Sequence, residues 1–343
     1  MTTPPAAAAP LLAHLEEPPL PEHIQRALEG HDPIMRERFK NIYWGMQRRE
    51  AAEKAAAAAD PRPAPPRPDE KPKAQVIQFP QWSDERRAAM HAAFRSALFP
   101  ALNFKEGRPF LKEKRLASVE GVAVIFTGEQ FDQSDLDVFL ELLNIAKETL
   151  LGVECSFSAY SLLKTLGRAT GNANHKWLHS VLIRLRSGTV DMTDHKIRYF
   201  GGLIEGGFKD EITKHYTISI NPKWARFFKA GLWASLDNDQ RRALGRNQTA
   251  KALHAYYSTH AAPGPHSYRK LAELVGLNNK QQRDVRANII KAHDELKRVG
   301  FLSDYEAGAN TIKTTTNHTP SQAHHLIGKV AKPRSPRTPK STG

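Results

Sequence analysis

His175-Lys176-Trp177-Leu178-His179-Ser180-Val181-Leu182-Ile183-Arg184-Leu185-Arg186 reads as a helix with two unlike sides. Leu178, Val181, Leu182 and Leu185 gather on one face at helical spacing, and Asn172, Lys176, His179, Ser180 and Arg184 lie around the other. No Asp or Glu occurs from Ser156 to Val190, a run of 35 residues in a chain that is 25% charged. Such a helix buries its leucine stripe and turns its cations, Arg186 included, toward a polyanion.

The neighbours of this stretch recur later in the chain. Asp135 to Lys147 reads as an apolar helix with acidic early turns, Cys155 to Phe157 as a small strand, and Ser158 to Leu166 as a short helix capped by Ser158 and ended by Gly167. Tyr160, Leu163 and Leu166 are expected inside. After the basic helix come strand-like residues around Gly201, Gly202, Gly206 and Gly207, with Val190 to Phe200 expected to pair with His215 to Ile220. The same order returns as Asn238 to Ser258, Tyr268 to Val275, Lys280 to Val299 and Phe301 to Thr316. In the second basic helix Val285, Ile289, Ala292 and Leu296 form the core stripe, while Lys280, Arg283, Ala287 and Lys291 project oppositely with Arg286 on the flank. Asn278 and Asn279 suit an N-cap or an adenine contact. Two such units predict an α+β chain of two tandem winged-helix domains, each with its third helix in a major groove.

Outside the units the composition changes. Pro4, Pro5, Pro10, Pro18, Pro19 and Pro21, then Pro61, Pro63, Pro65, Pro66, Pro68 and Pro72, predict a disordered Pro/Ala-rich region over residues 1–80. Within it, residues 33–59 form one isolated helix, idle or partner-docking, with Phe39, Ile42, Tyr43 and Met46 on one side. Ala88 to Leu98 suggests a short helix ending at Pro100, followed by a strand pair whose second member is Val122 to Thr127. The first winged helix is assigned to residues 84–228 and the second to 229–316, with Pro222 to Phe228 as the link. Residues 317–343, with Lys329, Lys332, Arg334, Arg337 and Lys340, read as a basic disordered tail.

The chain has 343 residues, a net charge of +14 and a pI near 9.8. Charge alone does not separate nucleic acid from acidic lipid, but no stretch approaches the roughly 20 apolar residues of a membrane span. The single cysteine, Cys155, forms no internal disulfide and fits a reducing cytoplasm as a buried thiol. There is no P-loop, no zinc spacing and no His-apolar-His motif, so neither an ATP-driven opener nor a metal or cofactor enzyme is expected. His254, Tyr256, Tyr257 and His260 leave one enzymatic alternative, a nicking tyrosine, against the simpler reading that both tyrosines pack the core.

Arg95-Ser96-Ala97-Leu98-Phe99, Ile125-Phe126-Thr127-Gly128, Phe157 to Gly167 and Leu182-Ile183-Arg184-Leu185 together resemble the TrfA-type replication initiators of broad-host-range plasmids, over roughly Gln75 to Phe301. The resemblance implies an initiator that binds repeated origin sites, the iterons, as a monomer on double-stranded DNA. It also implies opening of an adjacent AT-rich tract, with single-stranded DNA as a further ligand, and recruitment of the host sliding clamp, replicative helicase and chromosomal initiator. Homodimers would restrain copy number. Family members carry a clamp-binding peptide, Gln-Leu-x-Leu-Phe; here Gln75-Val76-Ile77-Gln78-Phe79 aligns with it, or reads instead as a first strand of the fold. Gln78 in place of Leu is expected to weaken clamp binding by about 1–2 kcal/mol. The competing assignment is a dimeric winged-helix transcription repressor, which would contact a palindrome.

Overall fold

The computed structural model describes residues 79–317 except 105–106, 150–153 and 278–280, with short pieces between residues 19 and 51. The chain divides into a unit of residues 1–75 and a unit of residues 76–343. In the first unit residues 40–48 are helical, inside the 33–59 helix expected from sequence. Ile42 and Met46 are exposed there, and the Tyr43 and Trp44 rings meet edge to face at 5.1 Å. Of the prolines named in the two N-terminal clusters only Pro19 and Pro21 are described; the others and residues 318–343 of the expected tail lie outside the described residues.

The larger unit is organised around α2 (Gln133–Ala146), which follows a single-turn α1 (His91–Phe94). Asp132 caps α2 by accepting from the amides of Ser134 and Asp135, and the Asp135 carboxylate accepts from the Asp132 amide in return. Leu136, Phe139, Leu140 and Leu143 of α2 are fully buried. Next come β4 (Glu154–Ser158), α3 (Ala159–Thr165) and α4 (Asn172–Ser187). Ser158 caps α3 through the Ser161 amide, and Gly167 ends the segment at φ +68°, a left-handed conformation that glycine tolerates. Leu178, Val181, Leu182 and Leu185 are buried as their spacing predicts, each worth about 1.5–3 kcal/mol relative to exposure. Tyr160 departs from expectation: it is 52% exposed and Leu162 takes the core position beside Leu163. Its ring instead stacks under the Lys164 ammonium, 5.5 Å away.

The strands following α4 pair differently from the expected Val190–Phe200 with His215–Ile220. β5 (Thr189–Asp194) and β6 (Ile197–Gly201) form a hairpin that joins β2 (Phe110–Leu116) and β3 (Val122–Glu129) in a sheet of order β2-β3-β5-β6. β7 (Ile204–Lys209) and β8 (His215–Ile220) form the second hairpin, which adds to β4 in the order β4-β8-β7. The chain changes sheets at Gly201 and Gly202, so residues 190–200 are an insertion between α4 and its hairpin. β8 takes β7 and β4 as its two neighbours, which leaves β5 and β6 to pair with each other and with β3. At Gly207 a Cβ would stand 2.1 Å from the Thr217 carbonyl oxygen. Gly207→Ala is therefore expected to lose about 1–3 kcal/mol of stability as the hairpin splays, read as a lower urea midpoint.

The Ala88 to Leu98 stretch is not one helix. Arg86–Met90 is β1, paired antiparallel with β9 (Trp233–Asp237), and only α1 continues it as helix. Alanine favours helix locally, but its small side chain lets β1 lie buried beneath α2, and tertiary pairing overrides propensity. Residues 222–228, expected as a link, instead hold a 3-10 turn and α5 (Ala225–Lys229), whose Phe227 and Phe228 join Trp224 in the core.

The second set of elements is α6 (Asn238–Ala243), α7 (Gln248–Ser258), β10 (His266–Ser267), α8 (Tyr268–Leu274), α9 (Gln282–Arg298), β11 (Leu302–Ala307) and β12 (Thr311–Thr316). The expected helix 238–258 is broken in two at Gly245, φ +56°. Leu253, Tyr257, Leu271, Ile289, Leu296 and Ile312 centre a separate core, while Leu236 and Ala255 belong to the first one. Asp137 of α2 binds Arg241 of α6 at 2.6 Å and Lys251 of α7 at 2.7 Å, tying the second set of helices to the first.

Four histidines in this region sit in low-polarity surroundings. His254 is fully buried against Phe301, and neither ring nitrogen finds a hydrogen-bond partner among the described residues. Burial, then repulsion from Arg241, Arg86 and Lys251, lowers its pKa to about 3. Burial likewise lowers His91 to about 3 and His260 and His293 to about 4. In each case the unfolded chain binds a proton that the folded chain refuses. Stability is therefore intact above pH ~6.5 and falls as the pH drops toward the folded values, by up to about 1.4 kcal/mol per pH unit per group. His254→Leu should flatten the pH 6.5 to 4 loss by about one group's share in urea titrations; an unchanged slope would count against a neutral His254.

Candidate nucleic-acid interface

α4 presents the outward face that its sequence describes. Asn172, Lys176, His179, Ser180 and Arg186 are all exposed. Gly171 at the N-cap offers no side-chain acceptor, so the positive end of the helix dipole faces outward uncapped. The Ser180 hydroxyl donates to the Trp177 carbonyl at 2.7 Å and accepts from Arg184 Nη1 at 3.4 Å. His179 Nδ1 lies 3.3 Å from the Tyr216 hydroxyl on β8, which ties the helix face to its hairpin. Tyr216 carried no signal in the sequence because its role depends on a contact with His179, 37 residues earlier, that the pairing of β8 with β4 brings about.

Arg184 is the correction on this face. It is buried, its Nη2 donates to Asp135 Oδ1 at 2.8 Å, and Glu129 stands 3.9 Å from its Nη1. The helical wheel placed it on the polar face with Lys176 and Ser180, but the buried Asp135 carboxylate of α2 draws it inward. Arg184 thus positions α4 rather than touching DNA. Asp135 also accepts from Arg108 at 2.9 Å, while Arg108 reaches Asp132 at 2.5 Å, so one carboxylate pair fixes both the loop before β2 and the basic helix.

On α9 the stripe of Ile289, Ala292 and Leu296 is buried with Val285 partly so, and Arg283, Arg286, Ala287 and Lys291 are exposed. Arg286 sits over the Tyr268 ring at 5.5 Å, a contact that holds its guanidinium beside α8. Arg283 has loose contacts with Asp284, at 3.7 Å, and with the Gln281 side-chain oxygen, at 3.5 Å. Lys280, with Asn278 and Asn279, lies outside the described residues. Each basic helix is followed by a hairpin, β7–β8 after α4 and β11–β12 after α9. The β7–β8 tip is electrically balanced: Glu211 takes Lys209 at 2.7 Å and Lys214 at 3.1 Å, and Ile212 projects between them, 92% exposed. Helix faces, not hairpin tips, therefore carry the surplus positive charge.

Phe79, expected as a clamp anchor, is 2% exposed and packs on Phe228 with ring centroids 4.7 Å apart. Gln75, Val76, Ile77 and Gln78 lie outside the described residues. The nicking alternative meets core tyrosines. Tyr257 hydrogen-bonds His293 Nε2 at 3.0 Å and Tyr256 hydrogen-bonds His266 Nε2 at 2.8 Å, both buried, and burial pushes both phenols further up from their ordinary range. Cys155 is a buried thiol as expected. No group of His, Cys, Asp and Glu suited to a metal occurs among the described residues, nor any helix long and apolar enough to cross a membrane.

Comparison with known proteins adds a family. In solved structures, partial overlaps occur with domains 2 and 3 of RctB, as a selenomethionine derivative, at TM-score 0.46 and 9% identity over 66% of this chain and 98% of that one. The Pi initiator protein in complex with iteron DNA overlaps at TM-score 0.40 and 10% identity, over 55% of this chain and 95% of that one. The plasmid replication initiator protein TrfA of Escherichia coli is 23% identical over 237 residues, which cover 66% of this chain and 61% of that protein. The family described as "TrfA protein" matches residues 71–311, more than half of the sequence, and the chain belongs to that family.

Proposed function

We propose that this chain initiates plasmid replication by binding direct repeats at an origin, with α4 and α9 reading two successive major-groove segments of one repeat. Residues 84–228 and 229–316 act as two winged helices in this reading. One observation carries it: the chain holds two outward basic helices, each backed by an aliphatic stripe and followed by a hairpin, in a member of the TrfA family. The curated relative is named a plasmid replication initiator, and the Pi protein was captured on iteron DNA.

Binding free energy and DNA topology supply the work of opening. A chain gripping two groove segments at once favours bent or underwound DNA, and an AT-rich tract beside the repeats yields at least cost. Recruitment of helicase, chromosomal initiator and clamp, and restraint of copy number by dimers, complete the proposal. Clamp binding through Gln75 to Phe79 requires Phe79 to leave its pocket, which costs about 1.5–3 kcal/mol before any clamp contact forms.

The test uses duplexes carrying either the direct repeats of the cognate origin or a palindrome of the same half-site. One chain per direct repeat, with no gain from inverting alternate repeats, supports the initiator reading. Two chains bound only on the palindrome would instead indicate a dimeric repressor.

A further inference from the structure

A cleft of about 620 Å³ lies between the α3–α4 turn, the outer side of α2 and the α6–α7 turn. Its walls hold two carboxylates, and both are already satisfied. Asp137 binds Arg241 and Lys251, and Glu141 binds Arg87 at 2.7 Å. Three further guanidiniums line it, from Arg168, Arg242 and Arg246. Among the described residues no carboxylate lies within ion-pair distance of these three.

The arginines are held by the fold. Arg168 lies flat on Trp177, its guanidinium carbon 3.6 Å from the ring centroid. Arg242 reaches across to the opposite turn, where a Cβ on Gly167 would stand 3.9 Å from its Nη2. Burial lowers the Arg168 pKa, with Asp137 and Asp132 attracting its charge and Arg246 repelling it. With no carboxylate in direct ion-pair contact among the described residues, the three guanidiniums keep donors for a bound anion, and guanidinium forks match phosphate oxygens in shape.

Position selects the source of the phosphate. Asn174, in the first turn of α4, borders the cleft on one side, and Gln248, at the start of α7, borders it on the other. Recognition helices enter a groove by their N-terminal residues, and the first helix of such a unit crosses the backbone. The cleft thus lies between the N-terminal end of α4 and the C-terminal end of α9, where Arg298 Nη2 donates to the Ala243 carbonyl at 2.9 Å, so that backbone bridging the two helices can reach it.

We propose that Arg168, Arg242 and Arg246 form a third DNA contact, gripping the sugar-phosphate backbone between the two groove segments. The proposal rests on the initiator reading above. It is tested in the full chain with Arg242→Gln plus Arg246→Gln, both exposed residues, after thermal unfolding confirms an unchanged fold. Salt titration of direct-repeat binding should show the log–log slope reduced by about 1–2, at roughly 0.9 per lost phosphate. Hydroxyl-radical protection should vanish between the two segments and persist within them. Unchanged slope and protection in the variant would overturn the backbone grip while leaving the initiator reading intact. Failure of the unaltered chain to protect the repeats would overturn both. Saturable binding of inorganic pyrophosphate, lost in the variant whose footprint is unchanged, would make the cleft a small-anion site and refute the proposal.

Discussion

Asp135→Ala is expected to lower the unfolding free energy by about 3–5 kcal/mol. The Asp135 side chain is fully buried and accepts from Arg184, Arg108 and the Asp132 amide, at 2.8, 2.9 and 3.0 Å. Its removal leaves the Arg184 guanidinium inside the protein with Glu129 at 3.9 Å and a long hydrogen bond to the Ser180 hydroxyl at 3.4 Å, and opens the capping box of α2. Arg184 sits on α4, so the damage extends to DNA binding even though neither residue faces solvent. Asp135→Leu combined with Arg184→Met should recover much of the stability, because replacing a buried pair by apolar groups costs far less than breaking it. Urea unfolding of the three proteins checks this. Equal losses in Asp135→Ala and the double variant would show that the ion pair is not the source.

Charge reversal on the outward helix faces is the second large effect, and it leaves stability untouched. Arg283→Glu with Lys291→Glu on α9, or Lys176→Glu on α4, should weaken binding to the direct repeat by about 100-fold or more. Each lost groove or phosphate contact is worth about 1–3 kcal/mol, and the new carboxylates repel the backbone. Fluorescence anisotropy at fixed salt measures it. Thermal midpoints within experimental scatter of the parent are expected, since all three side chains are exposed. Arg184→Met offers the contrast: it loses affinity and stability together. Full affinity in the α9 variant would remove the second reader.

The contrast between Lys176 and Arg184 shows what the sequence discloses. Caps, glycine stops and aliphatic stripes are local, so α2, α3, α4 and α9 could be read from the acidic early turns of Asp135 to Lys147, from Ser158 and Gly167, and from the aliphatic spacing, whereas the Asp132 cap was not. Positions on the polar face of a helical wheel are decided by what packs against them, and Arg184 turns inward only because Asp135 lies across from it, 49 residues earlier. Tyr160 shows the opposite outcome, an aromatic residue left outside because Leu162 fills the core. Ala88 to Met90 reads as helix by propensity and becomes strand because β9, far along the chain, supplies its partner. The β5–β6 insertion escaped notice for the same reason: alternation identifies strands but not whom they pair with. The cleft arginines were visible only as members of a basic composition, since their meeting depends on two distant turns.

The central claim is that one chain reads two groove segments through two separate helices. Methylation interference at guanine N7 tests it most directly, using one direct repeat with the parent chain, Lys176→Glu and Arg283→Glu/Lys291→Glu. The parent should show two interfering clusters, about 10 base pairs apart on one face of the duplex. Lys176→Glu should abolish interference at one cluster only, and the α9 variant at the other only. A single cluster, or both clusters lost together in either variant, would contradict the account.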